Sequence, residues 1–139
     1  MQHTKVTDNT ILEIPKIADP RGNLSVIEKD VIPFKMKRIY YLYDVPSDSF
    51  RGGHAHKKLY QFLIAISGSF DVTLNDGQDT RVITLNKPNK GLLLVPGTWR
   101  ELNNFSSGAV CLVIASDVFI EEDYIRDFNL FEAYKNTLL

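Results

Sequence analysis

Two of the three histidines in this 139-residue chain, His54 and His56, stand two positions apart in the run Arg51-Gly52-Gly53-His54-Ala55-His56-Lys57-Lys58-Leu59-Tyr60-Gln61. Side chains on a β-strand alternate with period two, so this spacing turns both imidazoles to one face. Two bases that titrate near neutrality can share one of two jobs there, ligating a metal or moving protons. Either histidine alone reads as an ordinary surface residue. The pair, directly preceded by Arg51, Gly52 and Gly53, reads as a functional site.

The elements that must position the pair are short and strand-like. Asp19-Pro20-Arg21-Gly22-Asn23 is a turn leading into Leu24-Ser25-Val26-Ile27-Glu28. Arg38-Ile39-Tyr40-Tyr41-Leu42-Tyr43 is aromatic and β-branched, as strands prefer, with Arg38, Tyr40 and Leu42 on one face. Phe62 to Ile66 reads as a central strand, and Gly68 turns the chain into Ser69 to Leu74. Asn75-Asp76-Gly77 is a hairpin signal, with Thr80 to Leu85 returning. Gly91 to Val95 and Ala109 to Ala115 add two more strands. Such regular spacing predicts an all-β sandwich or barrel. Glu121 to Asp127 and Leu130 to Lys135 read as helical, the first opening on acids that suit a helix N-terminus. The expectation is one domain over residues 1–139, with a β core over about 10–118 and a short helical tail over about 119–139.

Composition narrows the function classes. A 44% hydrophobic and 24% charged chain is ordinary for a soluble globular protein. The net charge of -1 offers no basic field for nucleic acid or an anionic membrane. No apolar run reaches the length of a membrane span, and Met1-Gln2-His3-Thr4-Lys5 lacks the apolar core of a signal peptide. The single cysteine, Cys111, lies in an apolar run and reads as a buried structural thiol. A cytoplasmic protein without disulfides is expected.

The chain resembles the cupin superfamily of small jelly-roll barrels at two motifs. His54, His56, Gln61 and Gly68 follow the spacing of the first motif, and Pro96-Gly97-Thr98-Trp99-Arg100 with Asn104 retains part of the second. Metal-binding cupins use three histidines and a glutamate. Here Gln61 stands at the glutamate position and Arg100 at the third histidine. Glutamine is a weak neutral ligand, and arginine has no lone pair to donate. The site is therefore read as metal-free, and no cofactor is expected.

A metal-free imidazole pair suits proton transfer at a carbon acid beside a ketone. The enediolate that forms needs donors, for which Tyr40, Arg38, Arg51 and Arg100 are candidates. Arginine also suits a diphosphate, through its bidentate fork. Lys37 to Tyr41, Arg51 to Lys58, Ala115-Ser116-Asp117, Asp123 to Asp127 and Asp19 to Leu24 together resemble the sugar-nucleotide 3,4-ketoisomerases, the WxcM-like branch of the cupins. That resemblance implies a homodimer that exchanges strands. It implies migration of the ketone of dTDP-4-keto-6-deoxy-D-glucose from C4 to C3, feeding an aminotransferase that makes 3-amino-3,6-dideoxyhexoses for bacterial surface polysaccharides.

By the same resemblance, His54 is the base that carries a proton from C3 to C4, while His56 and Tyr40 assist exchange between the oxygens. Arg21, Arg38, Arg51, Lys57, Gln61, Trp99 and Arg100 are the expected substrate contacts, and Arg21-Gly22 points to the galacto-configured product. Three rivals stand: a dTDP-sugar 3,5-epimerase, a non-catalytic sugar-nucleotide-binding cupin, and a metal-dependent dioxygenase or hydrolase.

Overall fold

The computed structural model describes residues 3–139. Twelve strands run in chain order: β1 (Thr10–Glu13), β2 (Lys16–Asp19), β3 (Gly22–Ser25), β4 (Arg38–Leu42), β5 (Arg51–His56), β6 (Gln61–Ser67), β7 (Phe70–Asn75), β8 (Thr80–Leu85), β9 (Lys90–Leu94), β10 (Trp99–Asn103), β11 (Val110–Ala115) and β12 (Tyr124–Ile125). One helix, α1 (Phe128–Asn136), follows. Two antiparallel five-stranded sheets form, ordered β1-β9-β6-β11-β4 and β12-β5-β10-β7-β8, and β2 pairs with β3 as a separate ribbon. This is the cupin-like jelly-roll arrangement, all-β with one short C-terminal helix.

The alternation of side chains sorts the apolar residues into layers. Leu63, Ala65, Phe70, Val72, Leu74, Leu92, Leu94, Leu102, Cys111 and Val113 face inward and join one core between the sheets. The outward residues of the first sheet, Phe62, Ile64, Leu93 and Ile114, are covered by Ile14 and Ile32 from the connecting segments. Gly91 matters here, because a Cβ at this position would stand 2.2 Å from the Phe62 ring. On the outside of the second sheet, α1 lays Phe131 against Ala55, Trp99 and Ile125. Asp127 caps this helix by accepting from Leu130 N.

Two sequence expectations change. The helix expected over 121–127 is a single 3-10 turn, Glu121–Asp123, after which the chain straightens into β12 and pairs Tyr124 with His56 and Ile125 with Ala55. Backbone pairing to β5 replaces the helical bonds that this acidic run would otherwise make. The strand expected at 24–28 ends at Ser25, where its pairing to Lys16 ends. The hairpin at Asn75-Asp76-Gly77 is present, with Asp76 Oδ1 accepting from Gln78 N and Asp79 N. Among the described residues, no helix is long and apolar enough to cross a membrane.

Candidate active site

His54 and His56 lie on β5 and are 9% and 2% exposed. Strand β10 runs beside β5 and pairs Arg100 with His54, then Leu102 with Arg51. Three steps on β5 thus answer two on β10, which is a β-bulge, and Gly52 takes the left-handed φ of 72° that the bulge requires. The bulge keeps His54 and Arg100 on the inward face while carrying Arg51 to the rim. From the facing sheet come Tyr40 and Arg38 on β4 and Gln61 on β6. Ala115 on β11 pairs with both Arg38 and Gln61, so a small side chain separates these two long ones.

These groups line a cavity of about 500 Å³ between the sheets, walled by Arg38, Tyr40, Arg51, His54, Gln61, Arg100, Tyr124 and Arg126. That volume suits a small-molecule ligand. A second cavity of about 410 Å³ adjoins it, sharing Arg38 and Tyr124 and lined by His56, Lys57 and Asp123.

A chain of polar contacts crosses the first cavity. The Arg100 guanidinium donates from Nη2 to Gln61 Oε1 and, at 2.8 Å, to His54 Nε2. Gln61 Nε2 in turn donates to Tyr40 Oη at 3.2 Å, which leaves the tyrosine proton free to be donated. Because a guanidinium only donates, His54 Nε2 must be the acceptor and its proton must sit on Nδ1. Burial and the neighbouring Arg100 charge hold His54 far below the usual imidazole range, with His56 and Arg126 adding to the effect. His56 is lowered by burial first, then by Arg100, Arg126 and Arg38. Both imidazoles are therefore neutral at neutral pH, in the state a base needs.

Arg100 is 5% exposed, and among the described residues no carboxylate pairs with it. Burial lowers its pKa as well. A buried cation whose partners are both neutral is complementary to an anion. The same geometry disfavours a divalent metal, since a permanent cation fills the place of a third ligand beside His54. Among the described residues, no group of three or more His, Cys, Asp or Glu side chains is arranged to hold a metal ion. The Cys111 thiol is buried and free, and burial pushes its pKa up to about 12, so it is no nucleophile.

The structure brings together Tyr40, Arg38, Arg51, His54, Gln61 and Arg100, with His56 and Lys57 in the adjoining space. It does not bring Trp99 or Arg21 there. Trp99 faces outward from β10 against Phe128 and Phe131, because adjacent positions on a strand take opposite faces and Arg100 takes the inner one. Arg21 lies at the tip of the β2–β3 ribbon, paired with Asp19, its side chain 91% exposed. Sequence reasoning missed Asp123, Tyr124 and Arg126 as site groups. The Tyr124 ring lies 4.8 Å from that of His54 and 4.2 Å from that of His56, with the Arg126 guanidinium 4.2 Å over its face. The only sequence signal for them was their family-like run at 123–127.

Known proteins resemble this chain in sequence and in fold. The family described as "FdtA: WxcM-like, C-terminal" matches residues 7–136. The TDP-4-oxo-6-deoxy-alpha-D-glucose-3,4-oxoisomerase of Aneurinibacillus thermoaerophilus is 44% identical over 128 residues, covering 91% of this chain and 92% of the relative. A 3,4-ketoisomerase from Helicobacter canadensis has a crystal structure that is 48% identical, with a TM-score of 0.90 over 93% of this chain and 98% of that one. A histidine-to-asparagine mutant of the 3,4-ketoisomerase QdtA from Thermoanaerobacterium thermosaccharolyticum was solved in complex with TDP-4-keto-6-deoxyglucose. It is 37% identical, with a TM-score of 0.93 over 96% of this chain and 97% of that one. With the fold, the paired histidines and these matches in agreement, the chain belongs to the WxcM-like family of cupins.

Proposed function

We propose that this protein is a sugar-nucleotide 3,4-ketoisomerase that converts dTDP-4-keto-6-deoxy-D-glucose into a dTDP-3-keto-6-deoxyhexose without a metal or cofactor. The observation that carries this reading is the buried Arg100 cation held between neutral His54 and Gln61, with no carboxylate paired to it among the described residues. Such a group stabilises an anion that arrives or develops in the cavity. The relatives named for this reaction supply the substrate class.

In this reading the C4 ketone acidifies C3–H. Substrate entry exchanges the Arg100–His54 contact for contacts to the sugar, and the freed Nε2 of His54 removes the C3 proton. The C3–H electrons form the C3=C4 double bond, and the charge that collects on O4 is met by Arg100. The O3 proton is passed to O4, with His56 and Tyr40 on this path. His54 then returns its proton to C4, and the ketone stands at C3. Arg38 and Arg51 at the rim suit the diphosphate, and Lys57 and Gln61 complete the contacts to the substrate. A 3-keto sugar is what an aminotransferase requires in order to place nitrogen at C3.

The chain acts as one cupin unit within a strand-exchanged homodimer. Supporting this, Ile17 and Leu24 pair across the ribbon and are 59% and 56% exposed, while Ile39 and Tyr41 on the outer side of edge strand β4, and Tyr43 just beyond it, are exposed. A partner copy covering these surfaces would also bring Arg21 near a site that it does not line within one subunit. Arg21-Gly22 is the basis for assigning the galacto configuration at C4.

An NMR time course with dTDP-4-keto-6-deoxy-D-glucose in D2O tests the reaction. The C3-ketone product should form, and its C4 coupling pattern reports the configuration. Deuterium at C5 without a C3 ketone would instead mark a 3,5-epimerase, and no turnover with intact binding would mark a non-catalytic binding protein.

A further inference from the structure

His56 is held differently from its neighbour. Its Nδ1 lies 3.2 Å from Oδ2 of Asp123. Since burial keeps the imidazole neutral, this contact is a ring N–H donating to a carboxylate and not an ion pair. The His56 proton therefore sits on Nδ1, and the lone pair of Nε2 is bare. That Nε2 is buried and meets no partner among the described residues. His54 Nε2, by contrast, is engaged by Arg100. Of the two imidazoles, only His56 carries an idle acceptor, and a buried acceptor without a donor is a place where a ligand hydroxyl gains most.

Asp123 is itself fixed. Its Oδ1 accepts from Lys58 N at 2.8 Å and its Oδ2 from Leu59 N at 3.2 Å, so two backbone amides orient the carboxylate. It closes the 3-10 turn at Glu121–Asp123, directly before Tyr124, the residue that pairs with His56 across the sheet. A carboxylate behind a histidine sets the tautomer and stabilises the imidazolium that forms when the other nitrogen takes a proton.

We propose that Asp123 is a positioning residue that fixes His56 as the Nδ1–H tautomer, so that His56 Nε2 takes the O3 proton of the sugar and returns it to O4. The inference rests on the isomerase reading and assigns one step within it. The O3–H bond breaks as Nε2–H forms, and Nε2–H then breaks as O4–H forms, while Asp123 stays ionised throughout. No oxidant or cofactor enters the balance.

The test begins with the ligand-free wild-type protein, labelled with 15N in its histidines. Long-range 15N–1H correlation should show His56 protonated at Nδ1 and bare at Nε2 at neutral pH. A His56 that is protonated at Nε2, charged, or averaging between tautomers overturns the proposal without any assay of activity. Asp123→Asn keeps an oxygen for the Lys58 amide but turns an amide N–H toward Nδ1. It should shift His56 to the Nε2–H tautomer and lower kcat by about a hundredfold or more, with little change in KM. An Asn variant that melts earlier but keeps its tautomer and its kcat would make Asp123 only a brace for the turn, and the proposal would fail. Wild-type protein with the expected tautomer but no 3-keto product would overturn the isomerase reading, and the relay role with it.

Discussion

Acidification should weaken this fold before any of its shifted carboxylates is protonated, because two neutral imidazoles are buried with a cation beside them. Both His54 and His56 titrate in the folded protein far below the 6.5 of a free imidazole. Above that pH the folded and unfolded chains are equally deprotonated at these sites, and the pair adds no pH dependence. Below it the unfolded chain takes up protons that the folded one refuses, so stability falls by about 1.4 kcal/mol per pH unit for each histidine. At about pH 5.5 each histidine has cost about 1.4 kcal/mol, and the pair about 3 kcal/mol, a large share of a domain's stability. The carboxylates held low by hydrogen bonds, Asp19, Asp76 and Glu121, join in only at more acid pH. Urea unfolding at about pH 7.5 and pH 5.5 measures the difference, and calorimetry in buffers of different ionisation heat counts close to two protons taken up on unfolding at the lower pH. A His54→Gln/His56→Gln double variant should lose most of this slope. Stability that differs by less than about 0.5 kcal/mol between the two conditions, with no proton uptake, would refute the reasoning, because both imidazoles would then be charged in the folded state.

Three further outcomes follow from individual contacts. Arg100→Met should lower kcat by about a hundredfold or more through loss of the charge that meets the enediolate. It should also raise the pKa of His54, moving the acid limb of the pH–rate profile to higher pH, since Arg100 is a cause of the depression. Lys135→Met should cost about 2–3 kcal/mol in urea unfolding, because Lys135 Nζ donates to Thr4 O and Gly97 O and its loss leaves two carbonyls unpaired. Gly91→Ala should destabilise by about 1–3 kcal/mol in the same assay, by driving a methyl group into the buried Phe62 ring.

The parts of the fold that were legible in the sequence are those whose signals are local. Asn75-Asp76-Gly77 announces its hairpin because the Asp76 side chain satisfies amides two and three residues ahead. Strand β4 shows its parity because Ile39 and Tyr41 face outward while Tyr40 and Leu42 pack on the core. Strand β10 is not legible as a strand in the sequence, and the reason is physical. At its start the inward face carries Arg100 for the cavity and the outward face carries Trp99 for α1, so that only Leu102 keeps the usual apolar-in pattern. The sequence accordingly points Trp99 toward the substrate, whereas it belongs under the helix. Asp123 was hidden in an acidic run that suits a helix start, and its partner His56 lies 67 residues away in the chain. The replacements at Gln61 and Arg100 were visible at once, and the structure adds their consequence: Arg100 bridges Gln61 to His54 and fixes the tautomer of that histidine.

The central claim is that His54 moves the proton between C3 and C4. It is tested most directly by comparing wild type with His54→Asn, measuring both dTDP-sugar binding and single-turnover conversion of the 4-keto substrate. The account predicts unchanged binding with conversion slowed by at least about a hundredfold, as expected for loss of a general base. Conversion by His54→Asn at the wild-type rate would contradict it.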